Sequence, residues 1–218
     1  MKNNTEHRLK ISVAGTEELE SIYRLRHDVY ATELGQYESR SDGSLPDAGD
    51  VASVYIAASL DGKLAGFVGI THPNSPQYSV DKFLSREDIP LTFDDQLYEI
   101  RALTVKEDLR GFQVATCLMY AAFRWIESHG GNHIVAVGRS EVLDLYLRIG
   151  MKLIGKTFKC GAVTYDLMSA GTHDVADRIR SSFQSRLKRI EKYMDWQLGI
   201  AFHSPAECYH GGAFFDAI

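Results

Sequence analysis

The sequence predicts a mixed α/β fold, in which a central mixed sheet is flanked by helices and followed by a C-terminal amphipathic helix. Up to position 168, apolar segments of strand length alternate with longer segments of helical periodicity, which is typical of a sheet covered by helices. Asp61 and Gly62 join two of the strand segments and indicate a tight hairpin. From Thr172, apolar residues recur every three or four positions and predict one long helix.

The first elements along the chain are a strand, a helix and a loop. The segment KISVAG predicts a strand at 10–15. The segment 16–34 begins with acidic residues and has apolar residues at helical spacing, so it predicts a helix. The polar segment 35–50 is rich in turn-forming residues and predicts a loop.

A hairpin and a second loop follow. The hairpin strands are predicted at 52–60 and 63–72. The segment 72–96 contains three prolines and many polar residues, which predicts a long loop with at most one helical turn.

The centre of the chain predicts a strand, a turn and a helix in direct succession. The strand is expected at 97–105, the charged turn at 106–112 and the apolar helix at 113–129, where the sequence HGG ends it. A short apolar strand is predicted at 133–138 and a helix at 141–150.

Two domains of unequal size are predicted. A final strand pair at 151–159 and 162–168 closes the first domain, which spans 1–170. The region 171–218 contains the amphipathic helix, predicted at 172–199, and an apolar tail that could lead to a further domain.

The composition is that of an ordinary globular chain. Of its 218 residues, 44% are hydrophobic and 24% are charged, and the net charge of -5 argues against general nucleic-acid binding. Three widely spaced cysteines favour intracellular thiols over a disulfide framework, and the histidines form no metal set. No apolar run approaches the roughly 20 residues that span a bilayer. We therefore expect a cytoplasmic protein without a metal or a membrane span.

The turn KEDLRGFQVAT, from Lys106 to Thr116, leads from a strand into the start of a helix. The first amides of a helix lack backbone partners, and the helix dipole is positive at that end, so this turn is suited to bind a phosphate. The turn contains neither a Walker A motif nor a dinucleotide-binding GxGxxG motif. An ordinary turn with a surface arginine, Arg110, is the alternative.

The same turn resembles a loop of the GNAT superfamily of N-acyltransferases, which has the pattern Q/R-x-x-G-x-G/A and holds the pyrophosphate of coenzyme A. Arg110 and Ala115 match its first and last positions, and Gln113 replaces the middle glycine. A side chain there crowds the pyrophosphate. The resemblance therefore leaves two donors open, acyl-coenzyme A and the phosphopantetheine of an acyl carrier protein, which lacks the pyrophosphate. The residues expected to bind the donor are Leu103, Thr104, Val105, Arg110, Gly111, Phe112, Gln113, Val114, Ala115 and Thr116.

A second match lies in the segment SEVLDLYLRIGMKLIG. It resembles a helix-then-strand segment of the same family, in which a tyrosine precedes a Gly-Phe pair. Here Tyr146 and Gly150 occupy those places, and Met151 replaces the phenylalanine. The resemblance implies that Tyr146 protonates the departing thiolate. A tyrosine that only packs on the sheet is the alternative.

A third match lies at the front, in YRLRHDVYATELGQY and the hairpin after it. These segments resemble the branch of autoinducer synthases and N-acyl amino acid synthases, whose members take long acyl chains from acyl carrier protein. That branch carries E-x-x-R on the strand before the turn, whereas the spacing here is Glu99-x-Arg101. Strand alternation predicts that Glu99, Arg101, Leu103 and Val105 share one face.

Amide formation requires a neutral amine to attack a thioester. Glu99 is predicted to accept the amine's proton, directly or through a water molecule, and the backbone at Leu103 to Val105 to hold the thioester carbonyl. A salt bridge to a basic residue such as Arg101 is the alternative role of Glu99. Arg24, Arg26 and Arg101 are the candidates to bind the carboxylate of an amino-acid acceptor, and surface solvation is the alternative for at least one of them. Tyr30 and Glu33 are predicted to line the same cleft.

The leading hypothesis is an N-acyltransferase that moves an acyl group from acyl-coenzyme A or acyl carrier protein to the amine of a small molecule such as an amino acid. The alternative is a catalytically weak docking or regulatory module of a larger fusion enzyme, joined through the helix at 172–199. The basic face of that helix is expected to be solvated or to contact an acidic carrier protein. Its apolar stripe is expected to pack on the first domain or to form a homodimer.

Overall fold

The structure is a computed structural model that describes residues 9–110, 112–182 and 194–199. Within these ranges the chain forms one eight-stranded mixed sheet and four α-helices. No helix in the described ranges has the length and apolarity that crossing a bilayer requires. The strands are β1 Leu9–Val13, β2 Ser53–Leu60, β3 Lys63–Thr71, β4 Leu97–Val105, β5 His133–Arg139, β6 Lys152–Cys160, β7 Val163–Gly171 and β8 Asp195–Gln197. The helices are α1 Thr16–Arg26, α2 Phe112–Ser128, α3 Leu143–Arg148 and α4 Thr172–Ser182.

The strand order in the sheet is β6-β7-β5-β4-β3-β2-β1-β8. The strands β1 to β4 are successive antiparallel neighbours, whereas β4 and β5 run parallel. A parallel neighbour requires a crossover connection, which α2 supplies. The predicted hairpin is confirmed, since Asp61 and Gly62 turn the chain between β2 and β3 with positive φ angles of 52° and 75°.

The apolar core lies on both faces of the sheet. All residues of α2 from Thr116 to Ile126 are buried, and most form one cluster with strand residues such as Ile56 and Ile100. On the opposite face, α1 packs through Leu25 against Phe67. Cys117 of α2 is fully buried, which confirms that it belongs to the core.

The predicted first helix continues beyond α1 as a π-helical segment, His27–Glu33. The segment 35–50 is mostly a loop, as predicted, with a short 3₁₀ turn at Ala48–Ala52. The segment 72–96 is also mostly a loop and contains two such turns, Ser79–Lys82 and Arg86–Asp88. The first loop contacts α1, since the Leu45 N–H donates to the Tyr23 carbonyl, and it contacts the second loop, since Lys82 donates to Asp47.

The prediction of one helix from 172 to 199 is wrong at its end. The helix α4 is described to Ser182, residues 183–193 lie outside the described ranges, and β8 follows at Asp195–Gln197 as a strand parallel to β1. The edge of β1 offers unpaired backbone groups to a neighbouring strand. Trp196 of β8 also packs edge-on against Tyr120 of α2, with ring centroids 5.7 Å apart. These tertiary contacts outweigh the helical periodicity of the sequence.

Candidate active site

A β-bulge in β4 places the candidate site. Arg101 pairs with Gly69 and Thr104 pairs with Phe67, so β4 contains one residue more than β3 between these two pairs. Ala102 absorbs the difference with a φ of +52°. The side-chain alternation of β4 therefore reverses at Ala102.

The bulge makes the prediction of one shared face wrong. Glu99 and Arg101 lie on the α1 side of the sheet, where their partners are Thr71 and Asp47. Leu103 and Val105 lie on the α2 side and pack in its cluster. An extra residue moves every following side chain to the other face, because the side-chain period of a strand is two.

Beyond the bulge, β4 and β5 separate and leave a first cavity of about 370 Å³. Among the described residues, pairing of the two strands stops at Ile100 and Ala136. Leu103 and Val105 line the cavity from β4, and Tyr146 lines it from α3. The structure thus brings together three of the residues that the sequence assigned to donor binding and proton return.

The ring of Tyr146 lies against β5 because a glycine of that strand leaves room for it. The side chain is 6% exposed and lines the first cavity. A Cβ atom added at Gly138 would lie 2.9 Å from Cε2 of the Tyr146 ring, so the ring lies closer to the strand than any other residue type would allow. Burial raises the pKa of Tyr146. The hydroxyl is therefore protonated at neutral pH and is able to donate a proton or a hydrogen bond into the cavity.

The turn before α2 reaches the same cavity through Arg110, and the first turn of α2 reaches it through Ala115. Arg110 Nε donates to the Val105 carbonyl at 3.2 Å, and Nη1 donates to Glu33 Oε1 at 2.6 Å. Gly111 lies outside the described residues, and only the backbone of Phe112 is described. The other residues assigned to the donor do not line the cavity, namely Thr104 and Thr116, which are buried, Val114, which is partly buried, and Gln113, which is exposed.

A second cavity of about 210 Å³ lies toward α1 and the 35–50 loop. Four residues at the split between β4 and β5 line both cavities. They are Tyr30, Ala102, Val137 and Tyr165. The two cavities therefore adjoin at the bulge.

The second cavity has a charged wall. Arg26 Nη1 donates to Asp50 at 3.0 Å and Nη2 donates to the Tyr55 hydroxyl at 2.6 Å. Arg101 Nη2 donates to Asp47 at 2.6 Å. Arg26 and Arg101 line this cavity, as expected for an acceptor site, but each already has a carboxylate partner within the protein. The third candidate, Arg24, is exposed and pairs with Glu20.

Asp47 of this wall accepts hydrogen bonds from two basic side chains. Lys82 Nζ donates to it at 2.8 Å from the 72–96 loop, opposite the Arg101 contact. Burial acts to raise the pKa of Asp47, but the Arg101 charge and the Lys82 hydrogen bond outweigh it, so the pKa lies well below its usual range. Asp47 is therefore ionised at neutral pH and is no base for an amine.

Glu99 lies just behind the second cavity. Its side chain is fully buried, with Thr71 Oγ1 donating to Oε2 at 3.0 Å and the Ser79 backbone N–H donating to Oε1 at 2.7 Å. Ser79 lines the cavity, whereas Glu99 is not among the described lining residues. Burial raises the pKa of Glu99, and the nearby Arg101 charge opposes this shift.

Sequence reasoning missed several residues of the site. Gly138 and Arg139 end β5 beside the split, and Tyr165 of β7 lies next to them in the cavity wall. Within the described part of the chain, the Arg139 side chain has no hydrogen-bonded or ion-paired partner. The available signal was position, since the carboxyl ends of two parallel strands meet at the same edge of a sheet.

Among the residues that the structure describes, no group of three or more acidic, histidine and cysteine side chains is placed to hold a metal ion.

Known proteins share this fold. A family model described as Acetyltransferase (GNAT) family matches residues 17–151. BjaI, a CoA-dependent acyl-homoserine lactone synthase solved with SAM and isopentyl-CoA, has a TM-score of 0.71 and 18% identity, covering 88% of this chain and 94% of that chain. The AHL synthase LasI has a TM-score of 0.69 and 16% identity, covering 80% and 96%. FeeM, an N-acyl amino acid synthase from uncultured soil microbes, has a TM-score of 0.62 and 12% identity, covering 83% and 98%.

The search of the curated proteins finds no match. The structural neighbours include both classes of synthase that the front of the sequence resembles, and at these identities they show a shared fold. The family model covers more than half of the sequence, and the chain therefore belongs to the acetyltransferase (GNAT) family and is an acyltransferase.

Proposed function

We propose that the protein is an N-acyltransferase in which an acyl thioester occupies the first cavity and a small amine occupies the second. The observation that carries the proposal is the meeting of the two cavities at the β4 bulge, where Ala102 lines both. A thioester carbon at this point lies between a donor channel and an acceptor chamber. Binding both reactants at one junction supplies the orientation that a two-substrate reaction needs.

The donor side suits the arm of a pantetheine thioester. Leu103 and Val105 present apolar side chains, and the β4 backbone beyond Ile100 has no β5 partner among the described residues. Free backbone N–H groups stabilise the negative charge that develops on a thioester oxygen during attack. Isopentyl-CoA in the BjaI structure supports a thioester donor for this fold. Coenzyme A and the phosphopantetheine of a carrier protein both provide such an arm.

The acceptor side suits a small polar amine, with an amino acid as the favoured class. The wall of the second cavity contains both signs of charge, from Arg26, Asp47 and Arg101, which matches a molecule that carries both an amine and a carboxylate. FeeM is an N-acyl amino acid synthase with the same fold, which supports this class. The acceptor then enters from the α1 side.

The transfer forms one bond and breaks another. The amine nitrogen attacks the thioester carbon, the C–N bond forms, and the C–S bond breaks to release a thiolate. Glu99 takes the proton that the amine loses, and its burial behind Ser79 favours a water-mediated route over direct contact. Tyr146 gives its proton to the thiolate. No covalent enzyme intermediate is needed, which agrees with the burial of Cys117.

Incubation of the purified chain with a donor and a pool of amino acids tests this function. We expect a new amide in the mass spectrum and stoichiometric free thiol with either acyl-coenzyme A or acyl carrier protein. If neither donor is consumed, the proposal fails.

Tyr146→Phe tests the proton donor. We expect kcat to fall by about a hundredfold, the usual contribution of a positioned acid, while the Kd of the donor stays close to that of the wild type. A variant with unchanged kcat would contradict the role of Tyr146 and leave the tyrosine with a packing role alone.

A further inference from the structure

An ion pair at the mouth of the first cavity joins the turn before α2 to the front of the chain. Arg110 Nη1 donates to Glu33 Oε1 at 2.6 Å and Nη2 donates to Oε2, so the contact is bidentate. The Arg110 and Glu33 side chains remain 37% and 34% exposed. A ligand that arrives from solvent is therefore able to reach and compete for this pair.

The pair occupies the arginine that the sequence assigned to the donor's phosphate. A guanidinium has five N–H donors, and three of those of Arg110 point to Glu33 and to the Val105 carbonyl. The carboxylate also cancels the charge of Arg110. A phosphate near the start of α2 must displace Glu33 from Arg110 or share Arg110 with a neighbouring negative charge. Both possibilities cost binding free energy, and the cost rises with the charge of the donor.

The apolar walls of the first cavity do not depend on the pair. Leu103, Val105 and Val137 line it with apolar side chains. Such walls suit the uncharged arm of pantetheine, whose binding does not respond to the charge of Glu33. Arg139 supplies a second cation to the same cavity, and Glu33 acts on its charge only through space. A donor with a single phosphate thus has a cationic partner whose N–H groups Glu33 does not occupy.

We propose that Glu33 discriminates between donors by charge. It weakens the binding of multiply phosphorylated coenzyme A relative to a thioester carried on the single phosphate of phosphopantetheine. This inference rests on the proposed function, because it requires the donor's arm to occupy the first cavity. It assigns Glu33 to the donor side rather than to the acceptor.

Calorimetric titration of the full chain with coenzyme A, 4′-phosphopantetheine and pantetheine tests the inference. Glu33→Gln preserves the size of the side chain and removes its charge. Glu107→Gln removes a charge of the same turn that acts on Arg110 only through space, and it serves as the matched control. We expect Glu33→Gln to bind coenzyme A about two- to fivefold more tightly, the range for release of a partly exposed pair. We expect a smaller gain for 4′-phosphopantetheine and none for pantetheine.

Three outcomes overturn the inference. Weaker or unchanged binding of coenzyme A by Glu33→Gln would show that the pair supports the phosphate site or is neutral to it. An equal gain in Glu107→Gln would show that only the net charge of the turn matters. If wild-type protein and variants bind none of the three ligands although thermal denaturation shows them folded, the proposed function fails and this inference fails with it. If the wild-type protein binds the ligands and Glu33→Gln binds them equally well, this inference fails but the proposed function does not.

Discussion

At the scale of single residues, Gly138 determines the position of Tyr146. The nearest atoms to a Cβ built at Gly138 are Met168 Cε at 2.5 Å and Tyr146 Cε2 at 2.9 Å. The end of a methionine side chain moves easily, whereas a buried tyrosine ring moves only as a unit. A methyl group at this strand position would therefore push the Tyr146 hydroxyl away from its present place in the cavity.

Gly138→Ala is expected to lower kcat by about tenfold or more, because small displacements of a catalytic group are costly. The midpoint of its thermal denaturation is expected to stay close to that of the wild type. Gly171→Ala is the matched control, since an added Cβ there meets no atom closer than 3.8 Å. Steady-state kinetics and thermal denaturation of both variants check the prediction. Equal kcat values for the two variants would contradict it.

Single residues also show what the sequence was able to predict of the site. Tyr146 was found because its motif places it on a short helix after β5, and that helix is local structure. The partners of Arg26 and Arg101 were not found, because Asp50 and Asp47 lie on a loop that reaches the arginines only through the tertiary fold. The sequence shows the four charged residues, but it does not show that they form ion pairs with each other.

At the scale of elements, the bulge in β4 moves Leu103 and Val105 to the α2 side of the sheet, where they line the first cavity. Ala102 has a φ of +52°, which costs most residues about 1 kcal/mol or more and costs glycine little. The cost is higher still for a β-branched side chain. The identity of residue 102 therefore sets how easily the bulge forms.

Ala102→Gly and Ala102→Val are expected to differ in stability and activity. The glycine variant keeps the bulge and most of the activity. The valine variant is expected to lose about 1–2 kcal/mol of stability through backbone strain and to lose kcat/KM as the junction of the two cavities shifts. Urea denaturation and steady-state kinetics provide the comparison. A valine variant as stable and active as the glycine variant would show that the positive φ is not needed.

The elements also explain where sequence prediction succeeded and failed. The hairpin at Asp61 and Gly62 and the helix α2 follow from local turn chemistry and periodicity, and both are confirmed. The bulge could not be predicted, because alanine has no preference for positive φ and the extra residue matters only against β3. The strand β8 was missed because pairing with the edge of β1 is a long-range event.

At the scale of the whole molecule, Asp47 holds two distant loops together over the second cavity. It belongs to the 35–50 loop, accepts from Lys82 of the 72–96 loop, and accepts from Arg101 of β4. The side chains of Asp47 and Arg101 are 19% and 9% exposed. Loss of the Asp47 charge would leave a nearly buried guanidinium without its partner.

Asp47→Asn is expected to lower stability at pH 7 by about 2–3 kcal/mol. The folded-state pKa of Asp47 is depressed, so its stabilisation is present above the unfolded pKa of about 3.9 and is lost as pH falls through the folded pKa. The difference between wild type and variant should therefore shrink from pH 5 toward pH 3. Thermal denaturation across this range checks it, with the exposed Asp95→Asn as control. A difference that stays constant with pH would contradict the assigned charge role.

The presence of two adjoining cavities has a consequence for the order in which substrates bind and products leave. One chamber opens toward α2 and α3, and the other opens toward α1 and its loop, with the bulge as their common floor. In the proposed arrangement each reactant has its own chamber, so neither has to leave before the other binds. For the proposed transfer, both substrates are then held simultaneously in a ternary complex, and either product is free to depart first.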